Sequence, residues 1–262
     1  MLGTFASTSG EPGEAGARVA RRVLAIAHGD YSADPELAGL VAMSDVMPTL
    51  TELTCADSVR SQIDEHIAAA TGLVILAGPS GSGRRSLLVA ATRLTGRDVL
   101  IVDAKQFPLA LSAAGRQLAV LLRECRLAHR VPLILNLETL AEEGDPSEPS
   151  DRMAAAESVL DGEFVLATAA HPIARRWKRP PRVVELPPLT GAQHAKLWKQ
   201  ALPEASDGDA VLLSTLYPLA PALITAVTNV ARGEARDRAI EPEDISLGLR
   251  RVLDDRLAGL KT

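Results

Sequence analysis

Between an apolar run at 73–77 and a helix-like pattern that begins near Arg85, the chain reads Gly78-Pro79-Ser80-Gly81-Ser82-Gly83-Arg84-Arg85-Ser86. No other stretch constrains the fold as tightly. Three glycines in the six residues 78–83 let the backbone curl until consecutive N–H groups face one concavity, and the helix that follows adds its positive end. This is the strand–loop–helix arrangement of a phosphate-binding loop, whose pattern is G-x-x-x-x-G-K-[ST]. The lysine of that pattern reaches the β- and γ-phosphates, and its hydroxyl residue holds Mg²⁺. Here Arg84 stands at the lysine position, Arg85 at the hydroxyl position, and Ser86 falls one place late. The shape of the cradle is kept and its chemistry is changed. An arginine brings its charge as a planar fork instead of a point, and a guanidinium has no lone pair to offer a metal.

Four more apolar runs, at 99–102, 133–137, 164–168 and 183–186, alternate with helix-like stretches at 85–94, 112–127, 151–160 and a short piece near 173–177. A helix pattern carrying Leu53, Val59, Ile63 and Ile67 precedes them and ends before Gly72. Strands in alternation with helices predict a parallel sheet covered on both faces. From Thr190 onward no strand pattern is found. Helices are expected at 191–202, 209–217, 220–232 and 242–257, with Thr190 as an N-cap and Pro242, Glu243 and Asp244 opening the last one. Before the sheet, 1–16 reads as a mobile tail without a signal peptide, 17–27 as a helix and 30–47 as a turn-rich connector. The loop at 144–150, GDPSEPS, is expected to be disordered. The organisation expected is therefore a flexible tail and helical connector at 1–47, an α/β subdomain at 48–189 and a helical subdomain at 190–262.

Composition narrows the classes. With 47% apolar and 23% charged residues, the chain belongs with globular proteins. Cys55 and Cys125 give neither a metal spacing nor a disulfide framework, which points to a reducing, cytoplasmic setting, and the five histidines add no metal pattern. Residues 211–231 carry no charge over about the length of a bilayer span, but Pro218 and Pro221 interrupt them and hydroxyl side chains are scattered through them. Two short amphipathic helices are the reading preferred over a membrane span. A net charge of −5 argues against a general nucleic-acid surface. The local exception is 175–182, RRWKRPPR, with five basic residues in eight. It reads first as a solvated face, second as a contact with a neighbouring subunit's site, and last as a nucleic-acid contact with Trp177 stacking.

Nucleotide hydrolysis on such a scaffold needs acidic residues at the end of a second apolar strand. The candidate is 132–138, PLILNLE, where Asn136 takes the place of the aspartate that orients Mg²⁺ and Leu137 that of the glutamate. A one-residue slip offers Leu135 and Asn136 instead, so either register lacks the carboxylate pair. Glu138 is the remaining substitute, although neighbouring residues of a strand point to opposite faces. Thr168, at the end of the fourth apolar run, stands where a polar residue senses the terminal phosphate; an ordinary strand-end hydroxyl is the competing reading.

GPSGSGRRS (78–86), PLILNLETL (132–140), VLATAAH (165–171) and RPPRVVELPPLTGAQHAKLW (179–198), in this order, make residues 51–260 resemble an AAA+ ATPase module. More narrowly, the chain resembles the degenerate first module of large bacterial proteins that carry a second, intact AAA module. The resemblance implies a three-layer α/β/α P-loop sandwich with a five-stranded parallel sheet ordered 5-1-4-3-2, followed by an all-helical lid. It implies ATP or ADP held weakly by residues 78–86, with Mg²⁺ poorly held. By the same resemblance Asn136 stands for the Mg²⁺-orienting acid, Thr168 for the first sensor, and Arg179 or Arg182 for the arginine finger. The family's second-sensor arginine is replaced by Ala220-Pro221-Ala222. The partner implied is a ring of like subunits or a neighbouring AAA+ module. The function expected is regulatory or architectural, a pseudo-ATPase; the alternative is a nucleotide-binding switch or a slow ATPase using Arg84 and Glu138.

Overall fold

Five parallel strands carry the computed structural model, which describes residues 21–30, 32, 34–42, 49–50, 53–141, 152–236 and 238–259. They are β1 (Leu73–Ala77), β2 (Asp98–Asp103), β3 (Arg130–Leu135), β4 (Val165–Ala169) and β5 (Arg182–Glu185). In space they lie β5-β1-β4-β3-β2, which is the order that the resemblance implies. From β1 the chain jumps to the far edge, steps back through β3 and β4 to β1, and then places β5 on β1's other side. Connections therefore leave β1 in two directions, and a crevice opens beyond its carboxyl end, where open α/β sheets collect their ligands.

Alternation along each strand builds two cores. Val74 and Leu76 of β1, Ile101 of β2, Leu133 of β3 and Leu166 of β4 face α2 (Asp57–Ala69) and α3 (Arg84–Leu94). Ile75, Val102, Ile134 and Ala167 face the opposite way, onto α4 (Leu111–Leu127) and α5 (Arg152–Leu160). Successive side chains of a strand point to opposite faces, so apolar residues at every position require a helix layer on each side. The result is a three-layer α/β/α sandwich.

The segment before α2 is more built-in than a linker. After α1 (Arg21–Ala27), a 3₁₀ turn at Pro35–Leu37 buries Leu37 and Leu40 in the α4–α5 core. Val41 then bridges to Val102, with Ala42 N–H bonded to the Ile101 carbonyl and Asp103 N–H to the Leu40 carbonyl. These contacts cover the outer edge of β2, whose backbone groups would otherwise be open to another chain. Ion pairs of Arg22 with Glu124 and Arg123 with Asp34, both at 2.6 Å, pin the segment to α4. The tail at 1–16, the start of the helix expected at 17–27 and the loop expected at 144–150 lie outside the described residues.

Four helices follow the sheet: α6 (Gly191–Ala201), α7 (Asp207–Leu216), α8 (Pro221–Ala235) and α9 (Pro242–Gly259). Thr190 caps α6 reciprocally with Gln193, and Ser206 caps α7 with Asp209. Their core is separate, centred on Trp198, with Leu202, Ile224, Val227, Ala231 and Leu249 around it. The Trp198 indole N–H donates to the Tyr217 carbonyl at 3.1 Å, so burial leaves no polar atom of the ring unpaired. The uncharged stretch at 211–231 is divided between α7 and α8, which meet at a 115° bend, and among the described residues no single helix is long and apolar enough to cross a membrane.

Two local expectations are corrected. Residues 173–177 form no helix: the Lys178 and Arg179 N–H groups donate to the buried Glu157 carboxylate of α5 instead of to helical carbonyls. The strand expected at 133–137 begins at Arg130 and stops at Leu135, because Asn136 takes a left-handed conformation (φ 54°, ψ 46°) and Leu137–Leu140 turn as a 3₁₀ helix.

Candidate functional site

The glycine loop joins β1 to α3 at the carboxyl edge of the sheet, on the crevice. Gly78 N–H extends the β1–β4 ladder to the Ala169 carbonyl, and Leu186 N–H bonds the Ala77 carbonyl on the other side. A side chain at Gly78 would place its Cβ 3.0 Å from the Leu186 Cβ, so this position has no room for one. Gly81 and Gly83 take φ of 82° and 90°, values that favour glycine, and Gly83 caps α3 without a side-chain hydrogen bond. The first N–H groups of α3 therefore lack a side-chain cap. No acidic residue sits in the first turn of α3; Arg84 and Arg85 sit there instead. Two cations at the positive end of a helix oppose its dipole, by roughly 0.3–1 kcal/mol each at an exposed site. An anion bound in the loop would offset that repulsion by attracting both the helix end and the arginines.

Arg84 is 8% exposed, and its Nη1 has no hydrogen-bond partner. Burial pulls its pKa down, and the negative charge of Glu138 acts in the opposite direction. Glu138 lies in the 3₁₀ turn after β3, so the strand alternation expected to turn it away does not apply. Its Oε1 accepts from Ala170 N–H at 3.1 Å, beyond the end of β4, and its Oε2 is buried without a partner. The Ser82 hydroxyl and the Thr54 hydroxyl are likewise buried and unpaired. A cleft of about 340 Å³ opens beside Ser82 and Gly83, walled by Leu53 and Thr54 on one side and by Leu197, Ile224 and Arg232 of α6 and α8 on the other.

Asn136 and Thr168 meet here too. Asn136 N–H donates to Thr168 Oγ1 at 3.2 Å, while the Asn136 side-chain amide donates to Asp103 Oδ1 at 2.8 Å. The amide is thus committed across the edge to β2. Asp103 is the member of this group that sequence reasoning missed. Its signal was its place, as a carboxylate closing an apolar run at the carboxyl edge where α/β sites assemble.

The fold brings together Gly78, Pro79, Ser80, Gly81, Ser82, Gly83, Arg84, Arg85 and Ser86 with Asn136, Glu138 and Thr168. It does not bring Arg179 or Arg182 to them. Arg182 opens β5 opposite Val74 at the amino edge of the sheet, four residues and about 13 Å from Gly78 along β1 at 3.3 Å per residue. Arg179 pairs with Asp161 at 3.0 Å, and Arg175 lies over the Trp177 ring at 5.3 Å and 3.6 Å from Glu157. At the start of α8, where the resemblance expects a second sensor, Ala222 N–H donates to the Gly81 carbonyl at 3.2 Å. The C-terminal helices thus touch the loop through backbone alone at this point.

Set beside known proteins, the chain matches no protein-family model and no curated protein.

Proposed function

We propose that this chain is an AAA+-like module whose nucleotide site has lost its cutting machinery and kept its cradle, and that it serves an oligomeric remodelling machine as a regulatory or architectural part. The observation that carries the reading is the loop itself: a glycine cradle at the positive end of α3, with unpaired Ser82 Oγ and Arg84 Nη1 buried in it. A 340 Å³ cleft adjoins it, within the size range of small-ligand sites, about 300–1,000 Å³. These residues fit the phosphates of ATP or ADP. They offer a tightly held Mg²⁺ little: Arg85 replaces the hydroxyl and Asn136 brings no carboxylate. Phosphoryl transfer depends on positioning and charge stabilisation, and a missing metal ligand and acid pair remove both.

In this reading α6–α9 form the lid, and Arg179 or Arg182, remote from its own loop, faces the site of a neighbouring subunit. The neighbour is a second copy or an intact AAA+ module. Glu138, with one unpaired oxygen beside Arg84, favours a second reading, a slow ATPase. The test of the main reading is a melting curve with and without millimolar ATP or ADP, followed by sedimentation of the chain. A ligand at about 100 times its dissociation constant adds about 2.7 kcal/mol and raises the Tm. No rise with either nucleotide contradicts the cradle, and a strictly monomeric chain that ignores an added AAA+ partner contradicts the architectural role.

A further inference from the structure

We propose that the loop selects a nucleoside diphosphate over the triphosphate and binds it without a divalent cation, Arg84 supplying the attraction and Glu138 the discrimination. The inference rests on the nucleotide reading of Gly78–Ser86 and goes beyond it in naming the ligand and its metal requirement. Arg84 is more than nine-tenths buried, stands at the opening of an eleven-residue helix, and leaves Nη1 unpaired. A buried cation with an open donor calls for an anion, and a guanidinium–phosphate pair is short, directional and bidentate. Arg84 offers that donor, and the positions that would recruit a cation hold Arg85 and Asn136, neither of which is a carboxylate or hydroxyl.

Glu138 sets the length of phosphate chain that fits. Its Oε1 is fixed by Ala170 N–H past the end of β4, and Oε2 is buried and unpaired. The roomy cleft for a base and sugar opens on the other side of the loop, by Ser82, Thr54 and Ile224. Glu138 is held beside Ala170, next to the Ala169 carbonyl that takes the Gly78 N–H, so in this proposal a phosphate chain laid along the loop from the cleft toward Gly78 ends near Glu138. In an intact site, a lysine and Mg²⁺ bring three positive charges to the last two phosphates. Here Arg84 and Arg85 stand at the helix end without a divalent cation, and Glu138 opposes them with one negative charge. A third phosphate adds negative charge next to the Glu138 carboxylate with no metal between them, and like charges at that range repel.

The test is calorimetric titration of the full chain with ADP and with ATP, each in Mg²⁺ and in EDTA. The expected result is a Kd for ADP that changes less than about twofold on chelation, and a Kd for ATP weaker by about tenfold or more. Glu138→Gln keeps the shape of the side chain and removes its charge, so ATP should move to within about threefold of ADP. Arg84→Ala should lose both ligands, and Arg84→Lys, which retains a charge, should keep ADP; circular-dichroism melts of each variant show that the fold is intact. ATP binding as tightly as ADP, or an ADP affinity that falls about tenfold in EDTA, overturns the proposal while leaving the nucleotide loop standing. Binding of neither nucleotide overturns both readings.

Discussion

In the proposed nucleotide reading, replacing Asn136 by aspartate would return a hydrolytic site's acid, yet the structure predicts that the variant is damaged by it. The Asn136 amide donates to Asp103 Oδ1 at 2.8 Å, a hydrogen bond to a charged group. Such bonds contribute about 1.5–3 kcal/mol. An aspartate has no proton to donate there at neutral pH, so the bond is lost and two carboxylates face each other. Both residues are partly solvated, which holds the repulsion to about 1 kcal/mol instead of the several a buried pair would feel. The combined loss of about 3 kcal/mol corresponds to a Tm drop of roughly 6–12 °C for a chain of this size. The facing carboxylates hold a proton more tightly folded than unfolded, so the repulsive part of the penalty is absent at low pH and complete once pH exceeds the raised value. The assay is urea unfolding of the wild type, Asn136→Asp and Asn136→Asp/Asp103→Asn at pH 7.5 and 4.5. The double variant restores a donor–acceptor pair and should regain most of the loss. An Asn136→Asp variant as stable as the wild type at pH 7.5 refutes the reasoning.

Three further outcomes are expected. Gly248→Ala, inside α9, removes a helix glycine worth about 1 kcal/mol of propensity, but its Cβ would sit 2.7 Å from the Val227 carbonyl oxygen of α8. The clash should win by about 1–2 kcal/mol, and a denaturation midpoint above the wild type's would contradict it. Cys125 is buried, and burial pushes its thiol up to about 12. At pH 8 a thiol reagent should therefore leave Cys125 unmodified until denaturant is added, as peptide mapping would show. Arg238 grips both oxygens of Asp244 at 2.6 Å, and this holds the Asp244 carboxyl below its ordinary value of about 3.9. The contribution is present above that value and disappears as pH falls through the lower, folded one. Arg238→Ala should accordingly melt earlier than the wild type at pH 7, with the gap closing in strong acid; a gap that persists there would sink the linkage.

Much of the sheet was legible because its signals are local. Apolar runs of four to five residues between helix-spaced segments define parallel strands wherever they meet, and the glycine loop announces its own conformation. Strand order is a different matter, since no run of residues states which strand lies beside β1; it came through the resemblance. What stayed hidden depends on partners far along the chain. Asn136 leaves the strand with its amide tied to Asp103, 33 residues earlier. The basic loop resists the helix that its residues suggest because Glu157, on another helix, takes its N–H groups. Leu37 and Leu40 looked like connector residues, and their burial follows from the need to cover the open edge of β2. In the candidate site, the loop residues were readable from spacing, whereas Glu138's position required knowing that the strand ends before it.

The central claim is that a triphosphate entering this molecule leaves it uncut. A single-turnover experiment tests it most directly: the chain in excess over ATP, with Mg²⁺, quenched at intervals and separated for ADP. The account predicts that ATP is recovered intact through many hours. ADP that accumulates in the wild type and vanishes in Glu138→Gln would contradict it.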